Sequence, residues 1–317
     1  MMGCRYIIVF VLGIASQISG QQATQFTQFQ HAKAFYNPAD ISADKVTTVT
    51  GRIRDQWSNL VGGPAAQTII VELPRVKQSL GFGIILNRET IGIQERNDIA
   101  GVYAYHLQLS KAELSLGLQF SFRQFVNDFT KEGLIAIDGF DLDPSIDRIR
   151  YNTGIFNVGF GLSLRGDKYF VGLSAPRTVR SDIGLSDQVT GSQEIRQIYG
   201  MAGLELNLSP FWDMRPGVLI KYAEGVPFDL DVQNNFIYDN QVHLGLNLRT
   251  GGTQNSLFES ISFLIGFEFT PSIFASLSYD FTATPIREYE NGSFELLLRY
   301  TAFKDKSPKS IQNPRYY

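Results

Sequence analysis

Thiol chemistry has almost no place in this chain. Its 317 residues include one cysteine, Cys4, which lies within an N-terminal segment that reads as an export signal. Without a second thiol there is no disulfide and no cysteine-based metal centre. Histidine is nearly as scarce, with three residues, His31, His106 and His243, far apart in sequence. Charged residues make up 19% of the chain at a net charge of -3, and the lysines and arginines form no stripe. That distribution excludes an electrostatic nucleic-acid surface. No segment beyond the N-terminus is long and apolar enough for a membrane helix, which needs about 20 residues.

The N-terminus has the layout of a secretory signal. Arg5 is the only charge among the first twenty residues, residues 6–14 are apolar, and Ser19-Gly20 are small. Cleavage is expected near Gly20, and losing Arg5 takes the net charge from -3 to -4. Cys4 lies too early to serve as a lipid anchor after the apolar core.

What the chain has in quantity is alternation. In Leu114-Ser115-Leu116-Gly117-Leu118-Gln119-Phe120-Ser121-Phe122-Arg123 every even position is apolar. Val242-His243-Leu244-Gly245-Leu246-Asn247-Leu248-Arg249 repeats the pattern. Successive side chains of a strand point to opposite faces, so one face suits lipid and the other suits water. Repeated along an exported chain, the pattern predicts an all-β, antiparallel transmembrane β-barrel in an outer membrane.

About fourteen strands are predicted, over residues 46–53, 67–73, 80–87, 99–109, 113–125, 156–164 and 169–174, then 197–207, 216–223, 228–237, 242–249, 261–269, 274–281 and 293–303. Connections alternate in length. Even ones are short, such as Ser110-Lys111 and Thr270-Pro271-Ser272, and odd ones are mostly long, such as 126–155 and 175–196. Long extracellular loops and short periplasmic turns are the outer-membrane habit. The expected organisation is a signal peptide at 1–20, an N-terminal periplasmic or plug segment at 21–44, a barrel at 45–303 and a periplasmic C-terminal tail at 304–317. The N-terminal segment is expected to pack inside or beneath the barrel through Phe26, Phe29, Phe35 and Tyr36.

The polar parity carries Gln119, Arg123, Glu205, Lys221, Asp229, Asp231, His243, Arg249, Glu268, Asp280, Glu295 and Arg299. These are expected to line a wet or filled lumen. Asp229 and Asp231 fall about 7 Å apart on that face, where Lys221 is placed to pair with them. Asp138, Asp141, Asp143 and Asp147 form an acidic loop without the register of a calcium hand. No metalloprotease helix, phosphate-cradling glycine loop or nucleophile elbow occurs, so no catalytic, metal or cofactor site is expected. The Arg54-Asp55-Gln56-Trp57 loop, followed by Gly62-Gly63-Pro64, pairs an aromatic anchor with an arginine. Such pairs occur in buried contacts and in loops folded over a barrel mouth.

Several of these pieces resemble the PorP/SprF family of outer-membrane proteins of Bacteroidota, tied to type IX secretion and gliding motility. They are Tyr36-Asn37-Pro38-Ala39, the R-x-Q-W run 54–57, the following Gly-x-Pro, the hairpin from Gly161 to Pro176, Pro216 to Asp231, Tyr279-Asp280-Phe281-Thr282 and the closing Pro-Arg-Tyr-Tyr. The chain departs from the family at Asp40-Ile41, where an aromatic and a small pair are usual. The resemblance implies a non-enzymatic component that helps export or hold cargo such as a large adhesin. It implies as partners outer-membrane lipid, that cargo and a periplasmic peptidoglycan-associated lipoprotein. Arg54, Gln56, Trp57, Asn37 and Pro38 are the expected partner-binding residues. A diffusion or transport channel is the alternative.

Overall fold

The computed structural model describes residues 25–130, 149–180, 194–224, 228–251 and 258–302. The strands are β1 Thr48–Asp55, β2 Ala65–Glu72, β3 Leu80–Ile91, β4 Gln94–Gln108, β5 Ala112–Asp128, β6 Arg150–Gly166 and β7 Tyr169–Arg177. They continue as β8 Gln197–Leu204, β9 Trp212–Ala223, β10 Asp229–Tyr238, β11 Val242–Thr250, β12 Ser260–Thr270, β13 Ile273–Thr282 and β14 Ser293–Thr301. A two-residue piece, Leu206–Asn207, extends β8 beyond a break at Glu205. Each strand pairs antiparallel with the next. β14 pairs back onto β1, with Gly51 opposite Leu298 and Arg54 opposite Glu295. The result is a closed, fourteen-stranded antiparallel barrel.

Closure is what hydrocarbon demands. A peptide group in the membrane must be satisfied by the protein itself, so a sheet that crosses it has no free edge. The alternation then sorts the side chains. Leu116, Phe120, Leu244, Leu296 and Leu298 are exposed on the outer face, whereas Gln119, Arg123, His243, Arg249 and Glu295 are buried inside. Tyr222 and Tyr300 lie on the exposed face near strand ends, where a tyrosine suits a membrane interface.

All fourteen expected strands are present, but some are longer than the pattern indicates. β3 and β4 run on to a two-residue turn at Gly92-Ile93, pairing Asn87 with Asp98 and Thr90 with Glu95. Sequence alone places 88–98 in a connection, because that stretch is polar on both faces. A spanning strand needs only about 9–11 residues, so the added rungs stand clear of the lipid, where nothing requires an apolar face. Gly92 (φ +56°) occupies the first central position of the turn, the place a II′ turn reserves for glycine. Asp239 and Asn240 are both left-handed (φ 48° and 55°) and close the β10–β11 hairpin, as a I′ turn requires.

Residues 25–47 do not lie below the barrel. They enter the lumen as three short 3-10 turns, Phe29–His31, Lys33–Phe35 and Pro38–Asp40, and touch strands all round the wall. Residues 1–20, the acidic cluster Asp138 to Asp147 and the tail 304–317 lie outside the described residues.

The face assignment makes a direct prediction. Leu296→Arg puts a charge in the lipid and should cost about 2–4 kcal/mol near the midplane. Urea unfolding from lipid vesicles measures this, and an unchanged midpoint would remove Leu296 from the lipid face.

Candidate functional site: a plugged lumen and its two mouths

The segment in the lumen is held at both ends and packed in the middle. At the outer end Arg54 of β1 reaches Asp280 of β13 at 2.6 Å and Glu295 of β14 at 3.2 Å. Thr27 joins that group: its amide donates to Glu295 Oε2 (2.7 Å) and its hydroxyl lies 2.8 Å from Asp280 Oδ1. Arg54 also donates to the Thr27 hydroxyl at 3.1 Å. The amide of Gln28 donates to Glu295 Oε1, and Gln233 donates to the Thr27 carbonyl. Next to it Lys221 contacts Asp229 Oδ2 (3.1 Å) and Asp231 Oδ2 (2.6 Å), while Arg249 holds Asp231 Oδ1 at 2.8 Å. Arg249 donates to the Phe26 carbonyl and Lys221 to Gln25. The Lys221 pairing inferred from alternation is thus present, with Arg249 as a further partner.

The middle is apolar and aromatic. Phe26 meets Phe35 edge-on at 5.2 Å, Phe35 meets Tyr36 at 5.2 Å, and Tyr36 meets Tyr199 of β8 at 5.3 Å. The Arg52 guanidinium sits 3.3 Å over the Phe26 ring and 4.7 Å from Phe35. A desolvated cation–π contact contributes about 2 kcal/mol. The wall answers with apolar side chains on the lumen parity: Ile70, Ile85, Leu219, Phe274 and Leu297 are all buried. Ala32, Ala34 and Ile41 pack on four of these, and Phe26 and Phe29 join the cluster that holds Leu219.

The lower end is a turn built on close approach. Asn37 caps the last 3-10 turn by accepting from the Ala39 amide, with Pro38 at its first position. Asn37 also donates to the Leu162 carbonyl of β6 at 3.0 Å. A methyl group on Gly117 of β5 would overlap the Pro38–Ala39 peptide, and one on Gly161 of β6 would overlap the Asn37 side chain. These glycines are therefore a seat for the Asn-Pro-Ala turn. Ser174 and Ser163 donate to the Tyr36 carbonyl and to Asp40 (2.7 and 2.8 Å). His106 Nε2 lies 3.1 Å from the Ile41 carbonyl, and Arg75 donates to the carbonyls of Ser42 and Ala43.

This geometry decides what His106 does. Its Nδ1 faces both Ser115 Oγ (2.7 Å) and Glu113 (3.6 Å). A nucleophilic triad needs the carboxylate and the hydroxyl on opposite ring nitrogens. Here the second nitrogen is spent on a main-chain carbonyl and Ser115 is buried, so the group secures the plug's exit. Among the described residues no three His, Cys, Asp or Glu side chains are placed to hold a metal ion.

Of the five residues expected to bind a partner, four are taken up by internal contacts. Arg54 and Gln56 are buried at the outer rim, and Asn37 and Pro38 are buried in the seat of the plug. Trp57 is half-buried, with its amide on Ser293 Oγ. Sequence reasoning missed Arg52, Gln25 and the glycine seat. The available signal was the set of apolar residues on the polar parity, which have no reason to face water. Beneath the plug the lumen opens to the periplasmic side as a cavity of about 730 Å³. Lys33, Glu72, Arg165, Arg215, Glu268 and Arg299 contribute to its lining.

Fold and site together define a plugged outer-membrane β-barrel. The family described as "Type IX secretion system membrane protein PorP/SprF" matches residues 18–300, and the chain belongs to that family. No curated protein matches it. Among solved structures it is similar to a TodX deltaS2S3 mutant, a monoaromatic hydrocarbon channel. The TM-score is 0.52 at 11% identity, over 90% of this chain and 96% of that one. A FadL homologue from Pseudomonas aeruginosa aligns over 84% of this chain and 93% of its own, with a TM-score of 0.49 at 12% identity. At such identities the likeness is one of fold.

Two substitutions test the anchoring. Glu295→Ala removes an acceptor shared by Thr27, Gln28 and Arg54, and breaking such a buried pair costs about 3–5 kcal/mol. Limited proteolysis should then cut the 25–44 segment faster than in the parent while the barrel keeps its heat-modifiable gel migration. Gly161→Val should have the same effect from the opposite end of the plug. Parental cleavage rates in both variants would show that these contacts do not hold it.

Proposed function

We propose that this chain serves type IX secretion as a sealed surface platform rather than as a conduit. Its outer loops hold a secreted cargo, a large adhesin being the type that fits, and its periplasmic end meets a peptidoglycan-associated lipoprotein. The observation that carries this reading is the filled lumen. A segment with fully buried Phe26, Phe29 and Ile41 stands where a transported molecule would pass. A barrel whose interior is occupied has its outer and inner rims left for use, and the proposed role uses both. Chemistry has no part in it, in keeping with the structural use of His106. Trp57 at the outer rim is the side chain we assign to cargo contact.

The second reading, a transport channel, draws on the fold shared with a hydrocarbon channel and on the 730 Å³ cavity below the plug. Conductance separates the two. In planar bilayers the purified full chain should give no steady open-state current, whereas a large stable current would favour transport. Deleting 131–148, or replacing Trp57 with alanine, should then reduce adhesin retention at the cell surface without loss of the folded barrel. Unchanged surface display in both variants would sink the platform reading.

A further inference from the structure

At the outer rim, three strand ends converge on a point that no side chain among the described residues fills. Asp229 opens β10, Gly251 follows β11, and Glu259 precedes β12. The place where a side chain on Gly251 would begin is 3.3 Å from Asp229 Oδ1 and 3.4 Å from Glu259 Oε2. Both oxygens are buried without a hydrogen-bond partner, on residues only 4% and 9% exposed. Gly251 adopts φ +126°, a conformation that side-chain-bearing residues rarely take. Any other residue would be strained there, and its Cβ would occupy the space between the carboxylates.

Two unpartnered, buried carboxylate oxygens are costly, and the neighbouring cations act on these two oxygens only through space, without a hydrogen bond to either. Lys221 is spent on Asp229 Oδ2 and Asp231, and Arg249 on Asp231 and the Phe26 carbonyl. Glu259 pairs with neither through an ion pair. Adding it to the ion-paired set gives three cations, Arg54, Lys221 and Arg249, against five carboxylates, Asp229, Asp231, Glu259, Asp280 and Glu295. Arg52, also buried on the lumen side of β1, faces the Phe26 ring, and its charge acts on Glu295 rather than on Asp229 or Glu259.

We propose that Asp229 and Glu259 bind a divalent cation of the calcium type beside Gly251, on the outer side of the lumen. Hard carboxylate oxygens suit such an ion, which takes about six to eight oxygen ligands. Water supplies the rest of the shell. The ion ties together the rims of β10, β11 and β12 directly above the start of the plug, where Lys221 meets Gln25. It thereby couples the medium outside the cell to the anchoring of the segment in the lumen. The competing occupant is a proton, since burial pushes the Glu259 carboxyl up.

The test uses the full chain, purified in detergent and stripped with chelator. Equilibrium dialysis against radioactive calcium should give one ion per chain, with a Kd of about 10⁻⁴–10⁻³ M, the range of extracellular modules. Calcium should raise the thermal midpoint of the parent. The paired substitution Asp229→Asn with Glu259→Gln keeps the shape of both side chains, and its fold is checked by heat-modifiable migration. It should abolish both the binding and the shift. No binding at millimolar calcium would overturn the proposal, as would binding retained in the paired variant, which would move the ion to another acidic cluster such as 138–147. A parental midpoint that follows pH but ignores calcium and chelator would assign the site to a proton and overturn it as well.

Discussion

Hydrocarbon offers a peptide group no partner, so this sheet must bond β14 back onto β1. The remaining features follow from that ring. Fixing it fixes an inside and an outside, and the two-residue period of the strand distributes leucine and phenylalanine outward and charge inward. The seam is also where the interior is tied. Arg54 on β1 and Glu295 on β14 lie opposite each other in the closing pair, and both hold Thr27. The contact that completes the wall is therefore shared with the contact that anchors the plug.

Filling the interior of a barrel this wide takes more than wall side chains. Here a short stretch of chain does it with little regular structure of its own. Its main-chain groups are satisfied by side chains from the wall: carboxylates take its amides, and glutamine, serine, histidine and arginine take its carbonyls. Buried polar groups without partners are expensive, so a segment with three isolated 3-10 turns is stable in this setting only because the wall supplies those partners. Apolar patches placed against the polar rule of the lumen give it packing as well.

Legibility in the sequence follows the same physics. The strands could be read because lipid enforces alternation over the spanning residues. The rungs at Asn87–Asp98 could not, because above the membrane the outer face turns polar as well, while the inner face, with Asn87 and Glu89, stays buried but polar, so the apolar period disappears. Lumen-facing Asp229, Asp231 and Lys221 could be paired from parity and nearness in sequence. The partners of Arg54 could not, since Thr27, Asp280 and Glu295 are brought to it from distant parts of the chain. Its pairing with tryptophan pointed to a buried contact or a loop over the barrel mouth, and Arg54 is indeed 1% exposed, but the groups it meets could not be named from the sequence. Asn37-Pro38-Ala39 could be recognised as a turn, but its seat on Gly117 and Gly161 depends on strands that only the closed ring brings beneath it.

The path of the plug has a directional consequence. Its first described residue, Gln25, lies beside Lys221 at the outer rim, and its last residues join β1 at the periplasmic rim. The tether and the deepest contacts are thus at opposite ends of the lumen. Among the described residues, the outer end of the segment is held by side chains of the wall, from Glu295, Lys221 and Arg249. A force from outside meets the covalent junction at Thr48 and is passed to the wall. The plug is thus rooted asymmetrically, with its covalent junction at the periplasmic rim and its first described residue gripped at the outer one.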